Sequence, residues 1–148
     1  MKTMAQTVRL CVFHRDSASI LRIDKPCYPD SQLLADDLAA LCMRHIVVVA
    51  EEYGRIRGYC VYSREEDHFH ILRLAVAPAC YRRGLATLMV DRLLGMLMSP
   101  YGYRRDKIVA LVGGRQMYAQ YFFSAMGFRA SPVPGTDTMR FVWEIGND

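Results

Sequence analysis

Pro78, Arg82, Arg83, Gly84 and Ala86 fall within one stretch, Val76 to Val90, with the types and spacing of an anion grip. Before them, His70-Ile71-Leu72-Arg73-Leu74-Ala75-Val76 is an apolar run with few interruptions and reads as a buried strand. After them, Leu85, Leu88, Met89, Leu93 and Met96 recur at helical spacing. Pro78 ends the strand because it cannot donate to a ladder, and Gly84 and Ala86 are the small residues at the mouth of the helix. A strand feeding such a turn and then a helix aims several free backbone N–H groups at one spot. That spot also sees the positive end of the helix dipole, so it holds a phosphate. Neither G-x-x-x-x-G-K-[ST] nor G-x-G-x-x-G is present, which argues against an NTPase or a Rossmann dehydrogenase. The plainer alternative is a glycine-capped turn before a core helix.

The stretch resembles the acyl-CoA loop of the GNAT superfamily of N-acetyltransferases, roughly V-x-P-x-x-[QR]-x-x-G-x-[GA]. Val76, Pro78, Gly84 and Ala86 match it, and Tyr81 stands where Gln or Arg is usual. Ile46–Val61 and Ala119–Phe128, with its Gly-Phe ending, resemble the family frame as well, and Arg22–Pro29 is similar to the ribosomal-protein alanine N-acetyltransferase branch. The resemblance implies acetyl-CoA as acyl donor, with no metal. It places main-chain groups of Leu74, Ala75 and Val76 on the pantetheine arm, and Tyr81, Arg82, Arg83, Gly84, Leu85, Ala86 and Thr87 around the diphosphate. Gln116, where the family has an Asn early in the later helix, is expected at the cofactor too. An N–H near Val76 is expected to polarise the acetyl carbonyl.

Two side chains implied by the resemblance are replaced: Leu111 stands for the Glu of L-E-V-R, and Phe123 for the proton-donating Tyr. His70, six residues before Val76, is the candidate base, since an imidazole with an ordinary pKa near 6.5 suits neutral pH. A half-buried, hydrogen-bonded strand histidine is the competing reading; His68, Glu51 and Glu52 are weaker candidates. Tyr121, or Tyr118, is the candidate donor in place of Phe123, against a role in core packing. A free α-amine, with a pKa of about 7.7–8.0, is roughly a tenth neutral at pH 7, whereas a lysine at about 10.4 is neutral less than about once in a thousand. Loss of a strong base therefore favours a protein or peptide N-terminus as acceptor. A small-molecule amine and a non-catalytic acyl-CoA-binding module are the alternatives. Arg82 and Arg83 lack interleaved aromatics, so no nucleic-acid partner is expected.

These residues need a frame. Thr7–Phe13 alternates as a first strand, Asp16 or Ser17 caps a helix through Ile23, and Lys25–Asp30 reads as a loop by its two prolines. A second helix begins at Ser31 with Leu33, Leu34, Leu38, Leu41 and Cys42 on its apolar face. Ile46–Ala50, a turn at Tyr53-Gly54-Arg55, and Ile56–Tyr62 form a hairpin; another turn leads to the strand before the loop. Ser99–Asp106 is a loop, and Arg104, Arg105 and Lys107 form a basic cluster at its end, read most simply as solvated and alternatively as meeting a phosphate of coenzyme A. Lys107–Val112 is a strand, Arg115–Met126 a helix closed by Gly127, and two strands finish the chain. The predicted order, β-α-α-β-β-β-α-β-α-β-β, is that of an α/β GNAT fold with a mixed central sheet and helices on both faces.

The 148 residues suit one domain, 1–148, and 52% apolar with 23% charged residues is ordinary for a globular chain. The net charge of +4 fits an anionic ligand. Five scattered cysteines without a C-x-x-C pair point to reduced thiols and a cytoplasmic setting. No run is long enough to span a membrane and the first six residues lack the apolar core of a secretory signal, so no membrane partner is expected. A monomer or homodimer is expected.

Overall fold

The structure is a computed structural model that describes residues 5–99 and 105–145. In chain order it contains β1 (Gln6–Leu10), α1 (Phe13–Cys27), α2 (Ala35–Arg44), β2 (Ile46–Glu52), β3 (Arg55–Arg64) and β4 (His68–Val76). A 3-10 turn, Pro78–Cys80, then leads to α3 (Leu85–Met98), β5 (Lys107–Val112), α4 (Met117–Ala125), β6 (Arg129–Pro132) and β7 (Met139–Glu144). The seven strands hydrogen-bond in the order β1-β2-β3-β4-β5-β7-β6, the mixed sheet and element order expected from the sequence. The chain divides into two compact units: one runs to Ser63 and includes Arg73–Arg92, the other comprises Arg64–Leu72 and the chain from Leu93 onward.

In the first unit the run Ile46–Ala50 is apolar throughout because both of its faces are covered. Val47 and Val49 pair with Val61 and Tyr59, and this face packs against Ile20, Ile23 and Leu38 of α1 and α2. The other face carries Ala50 opposite Gly58. There a Cβ at Gly58 would stand 3.0 Å from the Ala75 carbonyl oxygen and 3.1 Å from Cε of Met89 on α3. Glycine at position 58 is thus a close-approach residue that seats α3 on the sheet.

In the second unit β4 and β5 pair in parallel from His68↔Lys107 to Ile71↔Ala110, and β7 continues the sheet antiparallel to β5. Phe69, Ile71, Ile108, Ala110 and Phe141 are all buried. α4 closes that face, with the Phe123 ring 5.7 Å from Phe141 and 5.0 Å from Phe128. The opposite face carries His70, Val109 and Val142 in register, followed by Leu111 against Arg140.

Several boundaries differ from the sequence reading. β1 stops at Leu10, because Phe13 already belongs to α1. Neither Asp16 nor Ser17 begins that helix: the N-cap is Val12, and Asp16 reaches back to accept the Val12 N–H at 2.7 Å. α1 runs through Pro26 to Cys27; a proline in the last turn removes only the bond to the carbonyl four residues earlier, and the helix ends there anyway. α2 starts at Ala35 rather than Ser31, since the segment before it is held by side chains: Arg73 Nη2 donates to the Ser31 carbonyl (3.0 Å) and the Leu33 N–H to Asp24 Oδ2 (2.6 Å). Leu34 is consequently exposed rather than part of the apolar face. α4 is shorter at both ends than expected, with Gln116 as its N-cap. Gly127 has the positive φ, +94°, expected of a residue closing a helix. The reading of residues 100–104, including Arg104, and of residues 1–4 lies outside the described residues.

Candidate active site

β4 ends at Val76, and the Ala77 N–H donates to the Arg57 carbonyl of β3 at 2.7 Å, fixing where the strand stops. After the 3-10 turn, Arg82 (φ +67°) and Gly84 (φ +82°) both lie in the left-handed region. Left-handed residues alternating along a turn direct successive N–H groups to one side, which makes an anion-binding concavity. The first helical bond past it is Leu88 N–H to the Gly84 carbonyl at 3.0 Å, so the N–H groups of Leu85, Ala86 and Thr87 have no intrahelical acceptor. A Cβ at Gly84 would meet nothing within 4 Å. The space in front of the loop is therefore open, and a larger residue there would crowd an incoming ligand rather than the protein.

Neighbouring side chains anchor this turn. Arg83 Nη1 lies 2.6 Å from Glu52 Oε1, and Gln6 Nε2 bridges Glu52 Oε2 (3.2 Å) and the Arg83 carbonyl (2.8 Å). The Gln6 hydrogen bond, then Arg83, holds the Glu52 carboxyl below its usual range. Arg83 is thereby a brace of the turn through its side chain, whereas Arg82 is exposed and forms no salt bridge among the described residues. Tyr81, at the position where the resemblance expects Gln or Arg, sets its hydroxyl 3.9 Å from Cys27 Sγ.

The strand edge before the loop is already occupied. The Leu74 N–H donates to the Tyr28 hydroxyl (3.2 Å), which donates to the Leu74 carbonyl (3.1 Å). Cys27 Sγ donates to the Val76 carbonyl at 3.4 Å. Of the main-chain atoms expected to bind pantetheine, the Leu74 N–H, the Leu74 carbonyl and the Val76 carbonyl are thus engaged from within by the end of α1. Burial raises both the Cys27 thiol and the Tyr28 hydroxyl above their ordinary pKa values. Beneath lies a buried polar network absent from the sequence reading. Asp24, fully buried, accepts from Tyr59 Oη and from Arg73 Nη2 at 2.7 Å. The Arg73 guanidinium also stacks 3.9 Å from the centroid of the Tyr28 ring. The signal for it was present: Asp24 interrupts a helical apolar face and Arg73 an apolar strand, and charges at such positions are tolerated only when paired.

In the second unit His70 is half-buried, and burial, helped by His68 and Arg140 against the opposing field of Glu65, lowers its pKa below that of an ordinary histidine. His68 is tied to Asp67 at 2.7 Å, its ring centroid 6.0 Å from that of His70. Leu111 is 50% exposed on the same face of the sheet as His70. On α4, Tyr121 is 70% exposed, and Tyr118 is exposed as well, so neither packs in the core; Phe123 does, at 2% exposure. Gln116 does not project freely, since its Oε1 accepts the Gly113 N–H at 3.1 Å. Glu51 and Glu52 are engaged by Arg9 (2.9 Å) and Arg83, not poised to order a water. Arg105 donates to the Glu65 carbonyl at 2.7 Å, and Lys107 lies 3.6 Å from Asp67, so this pair serves local structure. Among the described residues no group of His, Cys, Asp and Glu could hold a metal ion.

The family model described as the acetyltransferase (GNAT) family matches residues 17–128, from α1 through Phe128. The chain belongs to the GNAT acetyltransferase family. The fold agrees with it. Ard1 from Thermoplasma volcanium superposes with a TM-score of 0.78 at 18% identity, over 98% of this chain and 100% of that one. A GNAT family acetyltransferase from Elizabethkingia anophelis with acetyl-CoA bound gives 0.70 at 13% identity, over 97% and 100%. The ribosomal-protein-S18-alanine N-acetyltransferase from Escherichia coli gives 0.71 at 14% identity, over 93% and 90%. No curated protein matches the chain in sequence. No helix among the described residues is long and apolar enough to cross a membrane.

Proposed function

We propose that this GNAT acetyltransferase transfers the acetyl group of acetyl-CoA to a primary amine of low pKa, the α-amine of a protein or peptide N-terminus. The observation that carries the reading is the loop Arg82–Thr87: two left-handed residues, an open space at Gly84, and the unpaired N–H groups that open α3. The diphosphate of coenzyme A is the anion this cradle fits. Family membership and the acetyl-CoA in the Elizabethkingia neighbour support the same donor.

The chemistry follows from the groups available. The neutral amine attacks the thioester carbonyl, the C–N bond forms, the C–S bond breaks, and the electron pair leaves on sulfur. The proton shed by nitrogen passes to His70, directly or through water, and the thiolate, with a pKa near 8.5, leaves without a strong acid. Phe123 is therefore compatible with turnover, and exposed Tyr121 is the available donor if one is used. Leu111 supplies no carboxylate, and a histidine of lowered pKa is a weak base. It suffices for an amine that is roughly a tenth neutral at pH 7, not for a lysine.

Calorimetry with acetyl-CoA, followed by thiol release with free-N-terminus peptides, N-blocked lysine peptides and small amines, tests this. Saturable binding and turnover on free N-termini alone are expected. Turnover confined to lysines or small amines overturns the acceptor assignment, and binding without turnover on any amine identifies a non-catalytic acyl-CoA-binding module.

A further inference from the structure

None of the loop residues Arg82–Thr87 lines a further, basic cavity of the first unit. It has a volume of about 650 Å³ and is lined by β1, the first half of α1, the end of β2 and the β2–β3 hairpin. Its charge follows from a helical spacing and a strand irregularity. Arg15, Ser19 and Arg22 recur at i, i+4 and i+7 and share one face of α1, while on β3 the register shift opposite Ala50 and Glu51 makes Arg57 a bulge residue beside Ile56 and Arg55. All of these line the cavity together with Arg9.

The two carboxylates in the lining both hold Arg9. Asp16, almost fully buried, takes Arg9 through two bonds of 2.8 and 3.0 Å and also accepts the Val12 N–H at 2.7 Å. Glu51 accepts the same guanidinium at 3.1 and 2.9 Å. Arg9 is therefore the structural cation of the group, and its single charge leaves one of the two negative charges to the rest of the lining. Arg15 retains only a 3.6 Å approach to Asp16, with its side chain mostly in solvent. Arg22, Arg55 and Arg57 form no salt bridge among the described residues. Glu52, whose field reaches Arg57, has its oxygens taken by Gln6 and Arg83.

Five guanidinium groups thus line one opening against two carboxylates, Asp16 and Glu51, and the lining keeps a net charge of +3. Like charges gathered in this way repel, and a ligand with several negative charges relieves the repulsion. Guanidinium forks match phosphate oxygens two at a time, and the volume is that of a small-molecule site. We infer that this cavity binds a compound bearing a di- or triphosphate group, at a site separate from the Arg82–Thr87 cradle. A single carboxylate leaves most of this charge unmatched, orthophosphate offers fewer oxygens to the guanidinium forks, and both bind more weakly.

Calorimetric titration with inorganic tripolyphosphate, pyrophosphate and orthophosphate tests the inference. The wild type and Gly84→Val are expected to bind tripolyphosphate alike, with affinity falling as salt rises. Arg22→Ala/Arg57→Ala is expected to weaken tripolyphosphate by at least about tenfold while leaving acetyl-CoA affinity unchanged. Arg22→Lys/Arg57→Lys, which retains the charge, guards against a folding defect by keeping part of the affinity. Absence of saturable tripolyphosphate binding to the wild type overturns the site. So does binding that is lost in Gly84→Val and kept in Arg22→Ala/Arg57→Ala, which would assign the anion to the cradle. Failure of acetyl-CoA to bind, with tripolyphosphate bound as expected, contradicts the proposed function and leaves this site standing.

Discussion

The two ends of β4 differ in how they carry function. Beyond its last residues, the loop Arg82–Thr87 presents main-chain donors whose positions are fixed by backbone conformation. Its first residues, His68 to Leu72, present side chains on a sheet face, where His70 stands beside Leu111 and Arg140. A main-chain site depends on its dihedral angles rather than on its side chains, so the proposed function expects Tyr81 to be tolerated there. A side-chain site changes its chemistry with each residue, and Leu111 is where a carboxylate would have stood by the resemblance. Under the proposed function, the first kind holds a ligand class and the second sets which amine is accepted.

Substitutions can break that comparison at different depths. The largest effect is expected at Asp24, which holds the main-chain end in place through Tyr59, Arg73 and the Leu33 N–H. Asp24→Asn leaves the Arg73 guanidinium buried without a counter-charge and should cost about 3–5 kcal/mol of stability, read as a lower denaturant midpoint. An unchanged midpoint would mean that the network contributes nothing to the fold. Gly84→Val comes next. Valine at φ +82° is strained by about 1–3 kcal/mol, and its side chain fills the open space before the N–H groups. Acetyl-CoA affinity should fall by about a hundredfold, equivalent to roughly 2.7 kcal/mol, and retained affinity would count against the cradle.

At the other end, His70→Ala should lower kcat by about a hundredfold and leave acetyl-CoA affinity unchanged, separating the two kinds of site. Burial lowers the pKa of His70, so the enzyme's own acid limb in kcat/KM, separate from the titration of the amine at about 7.7–8.0, should lie below about pH 6.5. The same shift means that the unfolded chain takes up this proton first, so stability falls as pH drops through about 6.5. His70→Ala should remove both dependences; an unaltered profile would reduce His70 to a packing residue. The smallest effect is expected for Tyr28→Phe. Removing the hydroxyl that satisfies Leu74 should cost about 1 kcal/mol of stability while tightening acetyl-CoA binding a few-fold by freeing the strand edge. Weaker binding would instead make Tyr28 part of the cofactor site.

The same contrast explains what the sequence disclosed. The cradle was legible because Pro78 and Gly84 punctuate the backbone directly, and the strands because both-face burial leaves unbroken apolar runs such as Ile46–Ala50. Helix ends were less legible. Pro26 reads as a loop residue yet sits in a last turn, and the start of α2 is delayed by the long-range grip of Asp24 and Arg73 on residues 31–33. The Asp24–Tyr59–Arg73 network and the Tyr28 seal join residues up to 49 positions apart, and local periodicity carries no information about such pairings. The exposure of Tyr121 was likewise hidden, because an aromatic at helical spacing resembles a core residue until the packed face of α4 is seen to be that of Phe123.

The most direct test of the account compares acetyl-CoA with S-acetylpantetheine, which keeps the thioester arm and lacks the diphosphate, by calorimetry on the wild type and Gly84→Val. The account predicts saturable acetyl-CoA binding to the wild type, about a hundredfold weaker binding of S-acetylpantetheine, and a Gly84→Val protein that has lost most of this preference. Equal affinity for the two ligands, or no binding of acetyl-CoA, would contradict it.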